Sequence, residues 1–136
     1  MTNILFLDPT NDNLVILILF KKNKVFRIEK KYHKPLSEVL LLTLEELLKK
    51  SNTRLNTIQF IAVVSGPGSF SSLRVGIVVA NTLAWSLNIA VVGLKKEEIN
   101  NQEEILKIVE KKIKSKKFRP VLPFYGREPN ITKPKN

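Results

Sequence analysis

Apolar runs broken by turn signals fill the first part of the chain. Asn3 to Asp8 is a short apolar run, followed by the dense turn sequence Pro9-Thr10-Asn11-Asp12-Asn13. Leu14 to Phe20 is β-branched and leucine-rich without a polar break, the pattern of a strand buried on both faces. Lys22-Asn23-Lys24 reads as a tight turn, and Val25 to Lys31 then alternates apolar and polar positions. Connections this short make the three strands an antiparallel meander.

From Pro35 to Lys50 the spacing becomes helical. Pro35 suits a first helical turn, and Leu36, Leu40, Leu41, Leu44, Leu47 and Leu48 cover one broad face. The opposite arc carries Glu38, Glu45, Glu46 and Lys49, but also Val39 and Leu42. Those two are either scattered surface hydrophobes, which are common, or part of a second contact surface. Ser51 to Thr57 is a polar loop. Ile58 to Val64 is a continuous apolar strand of the kind buried in a parallel sheet.

A second helix is predicted over 70–87. Leu73, Val75, Ile77, Val78, Val79, Leu83, Trp85 and Leu87 leave it no wide polar face, and Arg74 is its only charge. A helix apolar all round is buried on more than one side. The sheet can cover one side; something else must cover the other. Gly76, Ala80 and Ala84 recur every four residues, a small-residue stripe that lets another helix approach closely. The same stripe suits a membrane helix, but Asn81, Thr82, Ser86 and Asn88 interrupt the run, so no membrane role is expected.

Ala90 to Leu94 reads as a further strand, and Glu97 to Lys114 as an amphipathic helix with Ile99, Leu106, Val109 and Ile113 inward. Phe118 to Tyr125 is a last strand weakened by Pro120 and Pro123, and Gly126 to Asn136 is a Pro-, Lys- and Asn-rich tail. Three antiparallel strands followed by helix, strand, helix and strand predict an α/β domain with a mixed sheet.

Composition narrows the chemistry. The 136 residues suit one domain, with 43% hydrophobic residues for a core. There is no cysteine, which excludes disulfides, thiol nucleophiles and cysteine-ligated metals. His33 is the only histidine, so no two-histidine metal site can form. No targeting signal is visible at the start, and a cytoplasmic protein is expected. The net charge is +11, with two concentrations of Lys and Arg, one from Lys21 to Lys34 and one from Lys107 onward. Such a balance attracts RNA or another polyanion, or simply keeps a protein soluble. No RNA-binding motif of a named kind is present.

Between the fourth strand and the second helix lies Ser65-Gly66-Pro67-Gly68-Ser69-Phe70. A strand, a glycine-rich loop and a helix N-terminus form an anion-binding geometry. The alternative is a rigid turn capped by Ser69 or Ser71. It is neither a Walker loop nor a dinucleotide fingerprint.

The longer string resembles a known family. Ser65-Gly66-Pro67-Gly68-Ser69-Phe70-Ser71-Ser72-Leu73-Arg74-Val75-Gly76, then Ala80, Leu83-Ala84 and Val91-Val92-Gly93, is similar to the TsaB (YeaZ) family, the bacterial scaffold of tRNA threonylcarbamoyladenosine synthesis. Its motif positions here are Gly66, Pro67, Gly68, Ser69, Phe70, Leu73, Arg74 and Gly76. Ile4 to Thr10 resembles the family's opening strand and turn, and Pro123 to Pro129 its closing Pro-x-Tyr-x-Arg-x-Pro segment. The family's Thr-Gly is Ser71-Ser72 here, so one loop glycine is missing.

The resemblance implies a single actin-like (RNase H-like) domain with a mixed five-stranded sheet. It divides the chain into residues 1–94 as the TsaB-like N-terminal domain, 95–119 as one helix in place of a second domain, and 120–136 as a closing strand and tail. It implies a non-catalytic subunit with no metal and no cofactor. Asp8 is followed by Pro9, not by a glycine-rich phosphate turn, which argues against a degenerate nucleotide-binding enzyme. The implied partner is TsaD, bound through the first two helices, with TsaE and tRNA joining the complex. A homodimer is the expectation when TsaD is absent. The contact residues expected from the surplus apolar positions are Val39 and Leu42 on the first helix, and Gly76, Val79, Ala80 and Leu83 on the second. Two rival expectations stand beside it: an RNA-binding accessory protein using Lys21 to Lys34 and the Lys107 to Lys117 helix face, and a degenerate nucleotide-binding actin-like enzyme.

Overall fold

The computed structural model describes residues 3–113 and 117–124. Strands β1 (Ile4–Asn11), β2 (Leu14–Lys21) and β3 (Lys24–Lys31) form the expected meander, joined by two-residue turns. Asn13 and Lys22 take left-handed backbone in those turns. Helix α1 (Leu36–Lys50), strand β4 (Phe60–Gly66), helix α2 (Phe70–Leu87), strand β5 (Ala90–Lys95) and helix α3 (Gln102–Lys112) follow. The strand order is β3-β2-β1-β4-β5. β1 pairs antiparallel with β2 and parallel with β4, and β4 pairs parallel with β5, so the predicted mixed five-stranded sheet is what forms.

Side-chain alternation sends the strands' apolar residues to two faces. On one face Leu5, Leu7, Leu17, Leu19, Ile61 and Val63 pack with α1 and α2. On the other, Ile4, Phe6, Ile18, Phe20, Ala62 and Val64 pack under α3 through Ile105 and Val109. Ile105, absent from the expected inner face of α3, is one of its two buried residues. The helix begins later than periodicity predicts, because Asn101 caps it by accepting from the Glu104 amide at 3.0 Å. The residues before it form a 3-10 turn, Lys96–Glu98, whose Glu98 carboxylate accepts from the Lys95 amide at 2.9 Å and from Lys112 Nζ at 2.8 Å.

α1 departs from the expected wheel at Leu41 and Thr43. Leu41 points outward and is 53% exposed, while Thr43 takes an interior place with its hydroxyl donating to the Val39 carbonyl at 2.8 Å. A threonine can be buried in a helix when its hydroxyl is satisfied within the preceding turn.

The strand expected at Phe118 to Tyr125 does not form over its described part. Pro120 and Pro123 lack the N–H groups a ladder needs. Residues 121–124 instead cross the end of the sheet as irregular chain. The Asn81 side chain of α2 grips both backbone groups of Val121, accepting from its N–H at 2.9 Å and donating to its carbonyl at 3.0 Å. The Phe124 amide donates to the Ser65 carbonyl at 2.8 Å. Tyr125 and the tail lie outside the described residues.

Candidate interaction surface

The glycine-rich loop is shaped by its neighbours. Gly66 has φ +137°, which L side chains rarely adopt, and a Cβ there would collide with the Phe124 carbonyl. A Cβ on Gly68 would sit 2.9 Å from Thr10 Cα, in the turn after β1. Ser69 caps α2, its hydroxyl accepting from the Ser72 amide at 3.3 Å, and Phe70 holds the Arg74 guanidinium 3.9 Å over its ring. Leu73 is fully buried. The motif residues Gly66, Gly68 and Leu73 are thus used to pack the loop against the β1 turn and the 121–124 segment. Pro67, Ser69, Phe70 and Arg74 remain exposed.

Asp8 is engaged within its own turn. Its carboxylate accepts from the Thr10 amide and hydroxyl and from Asn11 Nδ2. Among the described residues no group of three His, Asp or Glu could hold a metal ion.

Two of the six expected contact residues face the wrong way for a partner. Ala80 is 0% exposed and belongs to the core under the sheet, and Gly76 is buried where a Cβ would strike the Pro9 ring. The small-residue stripe is buried within the domain, against the β1 turn at Gly76 and in the core shared by the sheet and α1 at Ala80 and Ala84. By length and composition α2 could cross a membrane, but this stripe packs on the sheet. Val79 and Leu83 are half-buried, and so is Val39, which packs against the core. Leu42 stands 63% exposed.

The exposed apolar surface lies elsewhere on the same two helices. Val78 is 60% and Trp85 69% exposed on α2, two turns apart on one stripe. Leu41 lies on the flank of α1 nearer α2: one turn earlier on that flank, Ser37 lines a groove with Ser72 and Val75. Leu42 sits on the other flank, one turn before Glu46, which pairs with Lys30 of β3 at 3.1 Å. Leu41 on α1 and Val78 and Trp85 on α2 are thus the large apolar side chains that this helix layer exposes beside Leu42, while Val75, Val79 and Leu83 are half-buried against the core. The apolar-all-round composition of α2 signalled that such a surface exists. Its direction was hidden because the wheel has no polar arc to orient it.

Comparison with known proteins agrees with this architecture. The profile of the family described as "TsaD: tRNA N6-adenosine threonylcarbamoyltransferase" matches residues 28–113. A TsaB, the tRNA threonylcarbamoyladenosine biosynthesis protein of Buchnera aphidicola subsp. Baizongia pistaciae, is 30% identical over 106 residues, 74% of this chain and 48% of that protein. A tRNA N6-adenosine threonylcarbamoyltransferase of Geotalea daltonii is 44% identical over 57 residues, 42% of this chain and 17% of that one. The solved structure of YeaZ from Pseudomonas aeruginosa superposes with a TM-score of 0.66 at 24% identity, covering 70% of this chain and 44% of that one. The last likeness bears on fold, and fits an actin-like, RNase H-like α/β domain. The chain spans about half the length of the TsaB it matches, 48%. With the profile matched from the third strand through the third helix, the chain belongs to the tRNA N6-adenosine threonylcarbamoyltransferase family, as a TsaB/YeaZ-like member.

Proposed function

We infer that this chain is an accessory subunit in tRNA threonylcarbamoyladenosine synthesis, docking on a TsaD-type threonylcarbamoyltransferase through the outer surface of α1 and α2. One observation carries the reading: Val78 and Trp85 stand 60% and 69% exposed on a helix whose inner stripe is fully packed. Large aromatic and aliphatic side chains on one stripe are what a protein partner desolvates most productively. The transferase would move threonylcarbamoyl to the adenosine beside the anticodon of ANN-reading tRNAs, and this chain would hold it in its working form. A TsaE-type ATPase and the tRNA would join at other surfaces. A second copy of the chain is the competing occupant of the same face. The subunit contributes no catalytic group, metal or cofactor in this reading. Two observations favour that over a nucleotide-binding enzyme. Asp8 is satisfied by Thr10 and Asn11. The carboxyl ends of β4 and β5, in the region where open α/β sheets bind ligands, are met by this chain's own Val121 and Phe124.

The test is co-expression with the TsaD of the same genome, followed by size-exclusion chromatography. Wild type elutes as a discrete complex; Val78→Glu/Trp85→Glu elutes apart from the transferase with its fold intact. A complex that persists in that variant overturns the interface.

A further inference from the structure

The two basic stretches of the sequence do not form two basic faces. β3 carries residues 24 to 31 over about 23 Å, so the Lys21 to Lys34 run is divided between opposite ends of the domain. Along its middle, Arg27 pairs with Glu29 at 2.7 Å and Lys30 with Glu46 at 3.1 Å. On α3, Lys112 is taken up by Glu98, and Glu103, Glu104 and Glu110 stand among the remaining lysines. Lys22, Lys24 and Arg54, three cations with no ion pair among the described residues, gather where the β2–β3 turn meets the C-terminal end of α1.

There Lys21 Nζ donates to the Ser51 and Asn52 carbonyls at 3.3 and 3.2 Å, offsetting the negative end of the α1 dipole. That leaves the neighbouring cations to act outward. A groove of about 710 Å³ on one side of Lys21 is bordered by Arg54 and by Lys49, whose exposed ammonium pairs with Glu45, the groove's one acid, at 3.4 Å. A second, of about 470 Å³, is bordered by Lys22 and Lys24, with the half-buried Phe26 in its wall. Asn52 lines both and supplies a neutral hydrogen-bonding group. Lys22, Lys24 and Arg54 have no ion pair among the described residues. A concave, cationic surface with amide groups and one aromatic edge fits a phosphodiester backbone better than a peptide or a flat bilayer.

We propose that this end of the domain, built on Lys21, Lys22, Lys24, Lys49 and Arg54, contacts the phosphate backbone of the RNA on which the enzyme complex acts. The proposal rests on the preceding reading for the choice of RNA. Its placement supports a joint role: Lys49 lies two helical turns beyond Leu42, about 10 Å along the same stripe of α1. A transferase docked on the helix layer and an RNA strand on the basic end can be held at once.

The experiment is fluorescence anisotropy with the full chain and a labelled, unmodified tRNA transcript, between about 50 and 200 mM salt. Lys22→Ala/Lys24→Ala/Arg54→Ala is compared with Lys34→Ala/Lys107→Ala/Lys111→Ala, which removes the same charge elsewhere. The first weakens binding about tenfold or more and lowers the salt slope by about two to three; the second changes both little. Equal losses in the two variants overturn the proposal, as does an absence of wild-type binding at low salt, or equal binding to phosphatidylserine vesicles. Should the first variant misfold, Lys22→Glu alone, at an exposed turn, gives the same comparison. Co-elution with the transferase is measured on the same proteins. A patch variant that keeps the partner but loses RNA separates the two readings, and a wild type that binds RNA without the partner separates them in the other direction.

Discussion

Single residues in this chain carry constraints that their chemistry alone does not announce. Gly76 is a helical glycine, so alanine there gains about 1 kcal/mol of helix propensity. Its missing Cβ is where the Pro9 ring lies, and overpacking costs about 1–3 kcal/mol. Packing wins over propensity. Gly76→Ala is expected to destabilise the fold in chemical denaturation, and to become neutral or stabilising when Pro9→Gly removes the ring. Ala80 obeys the same logic more severely. At 0% exposure it has no room for a charge, and Ala80→Glu is expected to lose about 3 kcal/mol or more of stability, seen as failed folding and not as selective loss of a partner. Asn81 had no visible role in the sequence, because its partner Val121 lies 40 residues away. Its two hydrogen bonds contribute about 1 kcal/mol each. Asn81→Leu is expected to leave the domain folded while making the chain beyond Lys117 far more susceptible to limited proteolysis; unchanged cleavage would refute the clasp.

Among the elements, the strands and their pairing were the most legible. Their apolar runs are short, bounded by turn residues, and long enough to bury on both faces. Helix positions were legible too, but helix orientation was not. Leu41 and Leu44 are chemically alike on a wheel crowded with leucine, and only the satisfied hydroxyl of Thr43 reveals which way α1 is rolled. A stripe of small residues like that of α2 suits a neighbouring helix in the sequence, but a helix lying on a sheet and against the β1 turn demands the same close approach. The region 118–124 shows the limit of pattern: its apolar content suggests a strand, and its prolines remove the donors. The junction before α3 carries its own pH dependence. Burial acts to raise the Glu98 pKa, but hydrogen bonds from the Lys112 ammonium and the Lys95 amide, together with the positive charges of the two lysine side chains, outweigh it and hold the carboxyl below its ordinary 4.5. A lowered carboxyl pKa stabilises the fold above that value, and the contribution fades as pH falls through it. The thermal midpoint of Glu98→Gln is therefore expected to lie below wild type at pH 7 and to converge with it in acid.

At the scale of the whole molecule, the two faces of the sheet are unequal. Among the described residues α3 and its flanking Ile99 and Ile113 cover one, while α1 and α2 cover the other and still present apolar side chains outward. Trp85 is the only tryptophan in the chain and stands on that outer surface. Its emission reports docking directly: a red-shifted, water-exposed spectrum in the free chain is expected to move to the blue when a transferase or a second copy covers the helix layer. A spectrum unchanged in a purified complex would place the interface elsewhere. The candidate surface was half legible in the sequence, since an all-round apolar helix announces an uncovered side without saying which residues form it.

The order β3-β2-β1-β4-β5 leaves β3 with a row of backbone N–H and C=O groups that no strand among the described residues meets. Such an edge is a template for runaway sheet growth between molecules. Lys24, Arg27, Glu29, Lys30 and Lys31 occupy most of that strand, so any chain adding to it must bring its own backbone into a fence of charge. The lysines of β3 thus act as gatekeepers against aggregation, and replacing them with β-branched residues would convert the outermost hairpin into a seed for fibres.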